Sequence, residues 1–586
     1  MFSGWWRYVS LPDLLRILKA NLMGSTGLFF YIILIPGTPT VPFSIVVLDF
    51  LLCFLIMSGT RIFTRMACEA HTILQKEKST GLQRVLIVGA GAAGQTIARE
   101  IRQNPNLNKI VLGFLDHDSL RQGQNFVGVP VLGTSDQLEE ICREHRIGLV
   151  IITQSATTGK ELRSILNVCR KAGVESKILP TIGNIINGEV SVQNIRDVQV
   201  EDLLGRKPAR LDLPKIQKYL AGKRILVTGA GGSIGSEICR QVAKFSPGSL
   251  ILFENAETPL FFITRQLKEQ YPELTLFPSL SDIRDRSRVE DVFGTFRPEV
   301  VFHAAAYKHV PMSEQNSIET IKNNVLGTRI LADAAHAAGV GHFVMISTDK
   351  AVNPTGIMGA SKRAAEIYIQ SLARFSNTHM VTVRFGNVLE SNGSVIPIFR
   401  EQIKKGGPVT VTHPEVTRFF MTIPEAAQLV LQAGSMGKGG EIFLLDMGES
   451  IKIIHLAKEL IRLSGLRPYE DIDIVFSGLR PGEKLYEELL LAEEGVMPTT
   501  HGKIRVLHAA SHDETALKEQ LERLYQATRR MDSLMANTIL REIVPEFHPE
   551  KAPHQSPKSA RLFPVSNTAP EIGPSFTQPK LEKVPC

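Results

Sequence analysis

The sequence predicts an α/β protein built from two successive doubly wound, parallel-sheet domains. An apolar run leads into a glycine-rich G-x-G-x-x-G turn at RVLIVGAGAAG (84–94), and a similar opening recurs at RILVTGAGGSIG (224–235). Glycines in such a turn let backbone N–H groups approach a diphosphate at the N-terminus of the following helix. The length of 586 residues suits two or three domains.

The first 66 residues predict a membrane segment. Residues 41–59 are apolar and long enough to cross a bilayer, whereas residues 22–35 form a shorter apolar run. The uncharged turn 36–39 separates the two runs, and arginines and lysines flank both outer ends. By the positive-inside rule, we expect a hairpin of about two transmembrane helices with both ends in the cytoplasm. A buried core hairpin is the alternative.

The first sheet domain is predicted over residues 84–180. Its second strand, 110–115, ends at Asp116, where an acid usually receives a ribose. An equally weighted alternative is a fold kept for assembly, with an empty or adapted pocket. A connector is predicted over 181–222.

The second and catalytic sheet domain is predicted over residues 223–510. Its turn carries Gly229, Gly232 and Gly235, and its second strand ends at Glu254. A carboxylate there accepts hydrogen bonds from both adenosine ribose hydroxyls and repels a 2′-phosphate, which favours NAD over NADP. The alternative is a solvated glutamate.

Beyond the second domain, a helical extension is predicted over 511–547 and a disordered tail over 548–586. The apolar side chains of the extension recur at helical spacing and are interpreted as packing rather than a cofactor site. They are Leu517, Leu521, Leu524, Met531 and Leu534. The tail is rich in proline, serine and lysine, a composition typical of disorder.

Charge and cysteine content limit the classes of function. The formal charge is +7, but the basic residues are dispersed and no basic run is interleaved with aromatics, so nucleic acid is not expected as a partner. An acidic membrane face and anionic ligands explain the charge better. The six cysteines form no C-x-x-C pair, so neither a disulfide framework nor a metal site is predicted.

The stretch with the strongest chemical signal is Ser347-Thr348-Asp349-Lys350. It follows an apolar run, 342–346, that is typical of a buried parallel strand. Ligands gather at the carboxyl edge of open α/β sheets, so the strand would deliver Asp349 and Lys350 to such an edge. A helix is predicted to start near Asn353-Pro354, with Met358 and Lys362 on one face because they are four residues apart.

These segments resemble a known family. Short-chain dehydrogenases/reductases carry Tyr-x-x-x-Lys on this helix, where the present chain has Met358 and Lys362. The segments TGAGGSIG, STDKAVNP, MGASKR and RPGEK occur in the order of the membrane-anchored bacterial polysaccharide-biosynthesis enzymes, the UDP-N-acetylglucosamine 4,6-dehydratases of capsule and O-antigen type. The resemblance covers roughly residues 5–510.

The resemblance implies conversion of a UDP-N-acetylhexosamine to its 4-keto-6-deoxy sugar: oxidation at C4, loss of water across C5 and C6, and reduction at C6, with NAD as cofactor. Lys350 would take the C5 proton, its pKa lowered by nearby Lys362 and by the nicotinamide. Asp349 would protonate the departing C6 hydroxyl, and Lys362 would orient the nicotinamide ribose. Because a thioether at Met358 cannot act as a base, deprotonation of O4 is left to Thr348 through water, Lys362 or Asp349.

The resemblance also implies the binding residues. Those expected at the cofactor are Gly229, Gly232, Ser233, Ile234, Gly235, Glu254, Asp282, Ile283, Ala304, Ala305, Tyr307 and Lys362. Those expected at the substrate are Lys308, His309, Asn387, Arg418, Arg480 and Glu483. The two arginines are candidates for the diphosphate because guanidinium donors match phosphate oxygens, although each could instead form a structural ion pair.

Two other functions remain open from the sequence: a UDP-sugar 4-epimerase, which typically uses the tyrosine that is missing here, and a catalytically inactive membrane scaffold. For any of them we expect a multi-pass protein of the bacterial inner membrane, with cytoplasmic catalytic domains and a homo-oligomeric state. The resembling family usually has about four membrane spans before its soluble part, so the chain is expected to begin at the third span, through either a shortened or a misassigned start.

Overall fold

A computed structural model of the chain describes residues 11–34, 42–78, 82–153, 159–180, 191–204, 206, 209–491, 494–507 and 513–549. It separates into two compact units, Met1–Pro208 and Ala209–Cys586. The predicted turn at 36–39 and all but the first two residues of the predicted tail lie outside the described residues.

The first unit alternates strands and helices after two N-terminal helices. Its helices are α1 (Leu11–Leu34), α2 (Phe43–Lys78), α3 (Ala92–Gln103), α4 (Leu138–Glu144), α5 (Gly159–Lys171) and α6 (Val200–Leu203). Its strands are β1 (Gln83–Val88), β2 (Lys109–Leu115), β3 (Asn125–Phe126), β4 (Val129–Gly133), β5 (Leu149–Thr153), β6 (Glu175–Leu179) and β7 (Arg196–Asp197).

The described strands of this unit form one sheet in the order β3-β4-β2-β1-β5-β6-β7. β1 lies near the centre and pairs in parallel with β2 and β5. Its residues Val85 to Val88 are buried, as expected for a parallel strand covered on both faces. The predicted strands 110–115, 149–152 and 176–179 are thereby confirmed.

The second unit is larger. Its helices are α7 (Leu213–Leu220), α8 (Ser233–Ala243), α9 (Glu257–Gln270), α10 (Arg286–Phe296), α11 (Val310–Gln315), α12 (Ser317–Ile321), α13 (Thr328–Ala337), α14 (Ile357–Ala373), α15 (Val395–Lys404), α16 (Ile423–Met436), α17 (Ile453–Leu463), α18 (Glu514–Arg529) and α19 (Ser533–Ile543). A π-helical turn, Lys322–Gly327, joins α12 to α13.

The strands of the second unit are β8 (Arg224–Thr228), β9 (Ser249–Glu254), β10 (Leu276–Leu280), β11 (Val300–His303), β12 (His342–Thr348), β13 (His379–Phe385), β14 (Asn387–Val388), β15 (Val409–Val411), β16 (Thr417–Arg418), β17 (Phe420–Met421), β18 (Ile442–Leu445), β19 (Ile451–Lys452), β20 (Ile474–Phe476), β21 (Val496–Pro498) and β22 (Ile504–Leu507).

The main described sheet of this unit runs β10-β9-β8-β11-β12-β13-β18-β22-β21. From β10 to β18 the strands are parallel, and the last two are antiparallel. The chain winds outward in one direction from β8 and in the other from β11, so a topological switch point lies between these two strands. Ligands of open α/β sheets bind at the carboxyl ends of the strands at such a point.

The predicted connector 181–222 is only partly a linker. Its last helix, α7, buries Ile216, Tyr219 and Leu220 in the core of the second unit, together with residues of β8 and α16. The unit boundary at Pro208 lies before this helix for that reason.

The helix that carries Met358 and Lys362 starts later than expected. Asp349–Ala351 form a 3-10 turn, and α14 begins at Ile357 after an N-cap at Gly356. Asn353 adopts a left-handed φ of +39°, which a right-handed helix beginning there would not allow. The prediction of a start near Asn353-Pro354 was therefore wrong by about one helical turn.

The C-terminal extension forms the helix pair α18 and α19. Leu517, Leu521 and Leu524 are buried against α14 and α19, which confirms them as packing residues. Met531 and Leu534 are exposed, so their assignment to the same stripe was wrong. The reason is that α18 ends at Arg529 and Met531 takes a φ of +56°, which interrupts the helical phase before α19.

One stretch among the described residues is long and apolar enough to cross a membrane. It is Ser44–Arg61 in α2, with a mean hydropathy of 1.8. α1 contacts α2, and the side-chain amide of Asn21 donates a hydrogen bond of 2.8 Å to the carbonyl of Phe50. A second crossing through residues 22–35 stays a prediction.

Candidate functional site

The glycine turn after β8 is shaped by contacts that only glycine allows. Gly229 has a φ of +64°, and a Cβ there would lie 2.8 Å from the backbone nitrogen of Ala305. A Cβ on Gly235 would lie 2.0 Å from the carbonyl oxygen of Gly229. The turn therefore packs directly under the first residues of α8, which begins at Ser233. This geometry suits a diphosphate at a helix N-terminus.

Glu254 lies at the end of β9, next to this turn. Its carboxylate accepts hydrogen bonds from the backbone N–H groups of Gly231, Asn255 and Ala256, at 2.9, 3.0 and 3.1 Å. No lysine or arginine pairs with it in the described part of the chain. The carboxylate is thus held in place by the backbone, with acceptor capacity left for a ligand.

Asp282 and Ile283, the next predicted cofactor residues, lie just beyond β10. Both oxygens of Asp282 accept hydrogen bonds from the side chain of Arg284, which holds the pKa of Asp282 below its usual value although burial acts in the opposite direction. Ile283 is buried beneath Gly327. Asp282 is therefore engaged by a neighbouring arginine, a partner that the sequence prediction did not include.

A cavity of about 780 Å³ opens at the carboxyl ends of β8, β11 and β12, and we call it the large cavity. The predicted site residues that line it are Gly232, Ser233, Ile234, Gly235, Ala304, Tyr307, Lys308, His309, Thr348, Lys350, Met358, Lys362 and Asn387. Gly229, Glu254, Asp282, Ile283, Ala305 and Asp349 do not line it.

The wall formed by residues 304–309 is held by Asn324 in the π-helical turn. The side chain of Asn324 accepts a hydrogen bond of 2.8 Å from the backbone N–H of Tyr307 and donates one of 3.0 Å to the carbonyl of Tyr307. It also donates to the hydroxyl of Ser361 on α14, at 3.0 Å. One buried amide therefore ties the cavity wall to the helix that carries Met358 and Lys362.

Lys362 projects from α14 into the large cavity, and its side chain is almost fully buried. Burial lowers the pKa of Lys362 to about 8, although the charge of nearby Glu366 acts in the opposite direction. Met358, one turn earlier, is buried and presents a thioether. Lys362 is therefore close to a mixture of charged and neutral forms at physiological pH.

A buried ionic cluster between α14, β12 and β13 holds the carboxyl end of β12 in place. Glu366 accepts a hydrogen bond of 2.6 Å from the Ser347 hydroxyl. It also forms ion pairs with Arg384 at 2.6 Å and with Arg363 at 3.1 Å. The side chains of Glu366 and Arg384 are fully buried. Breaking such a pair by removing one partner costs about 3–5 kcal/mol. The cluster therefore stabilises the contact between β12 and α14, the helix that carries Lys362.

Lys350 lies at the carboxyl end of β12 between two carboxylates. Its Nζ is 2.9 Å from Oδ1 of Asp349 and 3.2 Å from Oε1 of Glu487. It also donates to the side-chain oxygen of Asn387 at 2.9 Å. Burial alone would lower the pKa of Lys350, but the charges of Asp349 and Glu487 outweigh burial and hold it above its usual value. The prediction of a lowered pKa for Lys350 was therefore wrong, because it did not include these two neighbours.

Asp349 is fully buried, and burial raises its pKa more than the charge of Lys350 lowers it. Its Oδ1 accepts hydrogen bonds from Lys350 and from the Thr348 hydroxyl, each at 2.9 Å. Its Oδ2 has no hydrogen-bond partner among the described residues. A Cβ on Gly386, a residue of the large-cavity wall, would lie 2.9 Å from Oδ2. The raised pKa agrees with the role of a proton donor.

A second cavity of about 230 Å³, the small cavity, shares Lys350 with the large one. It brings together all six residues predicted to bind substrate: Lys308, His309, Asn387, Arg418, Arg480 and Glu483. Burial lowers the pKa of both Lys308 and His309. The lining is rich in cationic and hydrogen-bonding groups.

Arg418 and Glu483 are largely engaged with the protein. Arg418 pairs with Glu483 at 3.1 Å and with Glu487 at 3.5 Å, and it donates to the Lys484 carbonyl at 2.8 Å. For this pair the ion-pair alternative describes the structure, although both residues line the small cavity. Arg480 is exposed at the rim, and its guanidinium forms no ion pair in the described residues.

Sequence reasoning missed three residues of the site: Glu487, Glu366 and Asn324. Glu487 follows the RPGEK segment closely, and this position is the only local signal for it. Its partner Lys350 lies in a distant part of the chain, so their contact depends on the tertiary fold. Glu366 and Asn324 were not recognised because polar residues on helices are ordinarily exposed.

In the first unit, Asp116 lies beside the glycine turn after β1, as predicted. It accepts the N–H of Ala90 at 2.8 Å and that of Asp118 at 2.9 Å. It also forms an ion pair with Arg121 at 3.1 Å. The ribose acceptor expected from the sequence is therefore already paired with a guanidinium.

Comparison with known proteins agrees with this domain order. Residues 225–509 match the family described as polysaccharide biosynthesis protein, and residues 6–180 match a CoA-binding domain. A UDP-N-acetylglucosamine 4,6-dehydratase (inverting) of Campylobacter jejuni is 32% identical over 47% of this chain and 79% of its own. A UDP-glucose 4-epimerase of Rickettsia canadensis is 35% identical over 46% of this chain and 79% of its own.

A longer match covers both units. The capsular polysaccharide biosynthesis protein CapD of Staphylococcus aureus is 45% identical over 83% of this chain and 81% of its own length. This similarity includes the first unit as well as the carboxyl end of β12, and it confirms the resemblance inferred from the motifs. The chain belongs to the polysaccharide biosynthesis protein family, among whose relatives are nucleotide-sugar dehydratases and epimerases.

Proposed function

We propose that this protein is a nucleotide-sugar 4,6-dehydratase that converts a UDP-N-acetylhexosamine, UDP-N-acetylglucosamine in the first instance, into its 4-keto-6-deoxy derivative for a cell-surface polysaccharide. The observation that carries the proposal is the Asp349-Lys350 pair at the end of β12, where Lys350 lines the large cavity together with Met358. Elimination across C5 and C6 needs an acid and a base at adjacent positions, and this pair supplies both groups.

The glycine turn, Glu254 and Lys362 fit a nicotinamide dinucleotide. When bound, the cofactor would supply the reversible oxidation at C4 and the reduction at C6. Glu254 would accept the adenosine ribose hydroxyls and repel a 2′-phosphate, so NAD is the expected form. Protein stripped of nucleotide should regain activity with NAD⁺ far better than with NADP⁺. Equal recovery with both would contradict the assignment of Glu254.

Lys362 is the best candidate for removing the O4 proton. Met358 has no basic group, and Asp349 is assigned to the C6 hydroxyl as the proton donor, a role that its raised pKa favours. The lowered pKa of Lys362 keeps part of its amine neutral near pH 8. Thr348 donates its hydroxyl to Asp349, and this bond would have to break before a relay to water. Of the three alternatives that the sequence left open, the lowered pKa of Lys362 and its position in the lining of the large cavity therefore favour Lys362.

At C5 and C6, Asp349 would give its proton to the departing hydroxyl and Lys350 would receive the C5 proton. Burial raises the pKa of Asp349, which favours the protonated carboxyl that this task needs. Lys350 must first lose the proton that its two carboxylate neighbours stabilise. Summed over the reaction, the O4 proton and the C6 hydroxyl leave as one water molecule.

The small cavity provides the complementary surface for an anionic substrate. Lys308 and His309 line both cavities, and Arg480 lies exposed at the rim of the small one. Arg480 is the better candidate for a diphosphate contact because the donors of Arg418 are directed to Glu483, Glu487 and backbone carbonyls. Guanidinium groups bind phosphate oxygens in a bidentate manner.

The direct test is incubation of detergent-purified protein with UDP-N-acetylglucosamine, followed by mass spectrometry. We expect a product lighter than the substrate by one water, and, in D₂O, one deuterium at C5 because a lysine ammonium exchanges with solvent. A product of unchanged mass with C4 inverted would indicate an epimerase, which the 35% identical relative keeps as the second candidate. No turnover with any UDP-hexosamine, in folded protein loaded with NAD⁺, would contradict both activities.

We also propose that the chain is held at a membrane through α2. The apolar stretch Ser44–Arg61 is 6% buried within the protein, so a lipid environment would cover it. The protein should sediment with inner membranes and resist a carbonate wash. Its release by carbonate would contradict an integral attachment.

A further inference from the structure

One loop contributes a continuous stretch to the lining of the large cavity. It lies between the end of β14 at Val388 and the start of α15 at Val395. Its residues in the lining are Ser391, Asn392, Gly393 and Ser394, and we call them the loop 391–394. The proposed function leaves this loop without a stated role.

The loop connects two sides of the large cavity. On one side, the backbone N–H of Asn392 donates a hydrogen bond of 3.1 Å to the hydroxyl of Ser233, the first residue of α8 after the glycine turn. On the other side, Gly393 lies against the ring of His309, since a Cβ on Gly393 would lie 2.7 Å from Cε1 of that ring. The position of the loop therefore affects both the proposed cofactor end and the proposed substrate end of the cavity.

The chain enters the loop through a residue in a disfavoured backbone conformation. Glu390 has a φ of +57°, in the left-handed region. A residue with a Cβ is disfavoured there relative to glycine, which has no Cβ to cause the steric conflict. The left-handed turn at Glu390 is therefore maintained by contacts elsewhere in the fold.

The side chain of Glu390 makes such a contact. Its Oε1 lies 2.5 Å from Nη2 of Arg400, in the second turn of α15. The ion pair thus joins the residue before the loop to the helix after it. Both side chains are partly exposed, so the pair contributes little to the stability of the whole fold. Its effect is expected on the conformation of the loop instead.

We propose that the ion pair between Glu390 and Arg400 holds Glu390 in its left-handed conformation and thereby positions the loop 391–394 across the large cavity. The inference rests on the proposed function, because it takes the cofactor and a nucleotide sugar as the occupants of that cavity. Arg400 is a positioning residue, since it acts through Glu390 and lines neither cavity. Without the pair, Glu390 would relax toward a negative φ, and the loop would lose its contacts with Ser233 and His309.

Backbone hydrogen bonds hold the segment on either side of Glu390. The N–H of Leu389 donates to the carbonyl of Met421 at 2.9 Å, and that of Ser394 donates to the carbonyl of Ser391 at 2.9 Å. Neither bond involves Glu390. Removal of Arg400 therefore tests the conformation of Glu390 while these backbone bonds remain possible.

The test compares Arg400→Ala, Glu390→Ala and Glu390→Gly in the full-length, detergent-purified protein. The two alanine variants leave a residue with a Cβ at position 390 and no ion pair, whereas Glu390→Gly removes the Cβ as well. We expect both alanine variants to release NAD⁺ faster and to raise the KM for UDP-N-acetylglucosamine by about tenfold, because a left-handed residue with a Cβ is disfavoured on roughly this scale. The kcat should change little, since the loss is one of uniform binding.

Glycine at position 390 should relieve the loss. Glu390→Gly should lose much less than Glu390→Ala, and adding Glu390→Gly to Arg400→Ala should restore most of the affinity. Removing the second partner of an ordinary ion pair restores nothing, so this rescue would identify the backbone conformation as the property that the pair controls.

Lys405→Ala is the matched control on the same helix. It removes the ion pair of Lys405 with Glu401 at 2.5 Å, which is also exposed, and it should behave as wild type. The melting temperature of each variant is measured alongside, and we expect it to stay close to that of the wild type because the substituted side chains are partly exposed.

Two results would overturn the inference alone. One is an Arg400→Ala enzyme with wild-type KM and wild-type NAD⁺ release. The other is a Glu390→Gly enzyme that loses as much as Glu390→Ala, which would assign the loss to the carboxylate rather than to the backbone. NAD⁺ release is measured without turnover. A wild-type protein that retains NAD⁺ but dehydrates no UDP-hexosamine would contradict the proposed function, whereas the order of release rates among the variants would still decide the role of the loop.

Discussion

The glycine turn after β1 and the glycine turn after β8 hold their acidic partners in nearly the same way. Asp116 accepts the N–H of Ala90 at 2.8 Å, and Glu254 accepts that of Gly231 at 2.9 Å. In both turns the third glycine is required by close contact. A Cβ on Gly94 or Gly235 would lie 2.1 or 2.0 Å from the carbonyl oxygen of the first glycine. The two signatures differ in spacing, G-x-G-x-x-G at 89–94 and G-x-x-G-x-x-G at 229–235, yet both place the last glycine in close contact with the first.

The two turns differ in what surrounds the acid. Arg121 pairs with Asp116 and, with backbone donors from Asp118 and Ala90, holds the pKa of Asp116 below its usual value although burial opposes this. Glu254 accepts backbone N–H groups and pairs with no basic side chain among the described residues. The comparison shows that a glycine-rich signature of either spacing indicates a turn, whereas the side chains around the turn decide whether its acid is open to a ligand.

The largest effect should come from Lys350, at the carboxyl end of β12 in the second unit. Lys350→Ala should lower dehydration by roughly 10²–10⁴-fold, the range for loss of a general base. Reduced nicotinamide should still form with substrate, because C4 oxidation precedes C5 deprotonation. The matched control is Lys177→Ala on β6 of the first unit, whose ion pairs are partly exposed. Full dehydratase activity in Lys350→Ala would show that the Asp349-Lys350 pair is not the acid–base pair.

The second glycines of the two turns allow a direct test of which turn binds the nucleotide needed for catalysis. A Cβ on Gly91 would have its nearest neighbour at 3.9 Å, and one on Gly232 at 3.2 Å, so both alanine variants should fold. We expect Gly232→Ala to weaken NAD⁺ binding by roughly tenfold or more, since a methyl group would block close approach of the diphosphate. Gly91→Ala should leave dehydration unchanged.

The measurement is NAD⁺ affinity by titration of the stripped protein, together with kcat at saturating NAD⁺. Loss of dehydration in Gly91→Ala, with melting temperature unchanged, would show that the first turn also binds a nucleotide needed for the reaction. Unchanged affinity in Gly232→Ala would contradict the assignment of the second turn.

The sequence was most informative where physical constraints are local. Apolar runs predicted β1, β8 and β12 because a parallel strand is buried on both faces, and the fixed spacing of Met358 and Lys362 placed both on one helix. It was least informative about charge. Asp349 and Glu487 together reverse the expected pKa shift of Lys350, and Arg121 forms an ion pair with Asp116. Such ion pairs form only in the folded chain, so no local sequence pattern predicts them.

Loop and helix boundaries show the same limit. Asn353 adopts a left-handed conformation that delays α14 to Ile357, and Met531 does the same between α18 and α19. Neither residue is a glycine, and left-handed conformations of other residues are rare enough that the sequence favoured continuous helices. The surrounding packing selects these conformations.

A smaller effect should appear in the pH dependence of C4 oxidation. We attribute this dependence to Lys362 of the second unit. If the neutral amine of Lys362 removes the O4 proton, kcat should fall about tenfold per pH unit below its pKa of about 8 and level off above it. Lys362→Met should lose this pH limb together with most of the activity. The measurement is the rate of C4 oxidation in a single turnover across pH 6–9. A rate independent of pH in this interval would assign the O4 proton to another group.

The smallest effect should come from Arg121 in the first unit. Its ion pair with Asp116 is partly exposed, with 40% of the arginine side chain accessible, so its loss should lower the free energy of unfolding by at most about 1 kcal/mol. Asp116 keeps the two backbone donors of Ala90 and Asp118, so the turn itself should persist in Arg121→Ala. Dehydration should be unchanged. Calorimetric unfolding and the dehydration assay check both points. A loss of dehydration with the fold intact would show that the first turn, despite its paired acid, takes part in the reaction of the second.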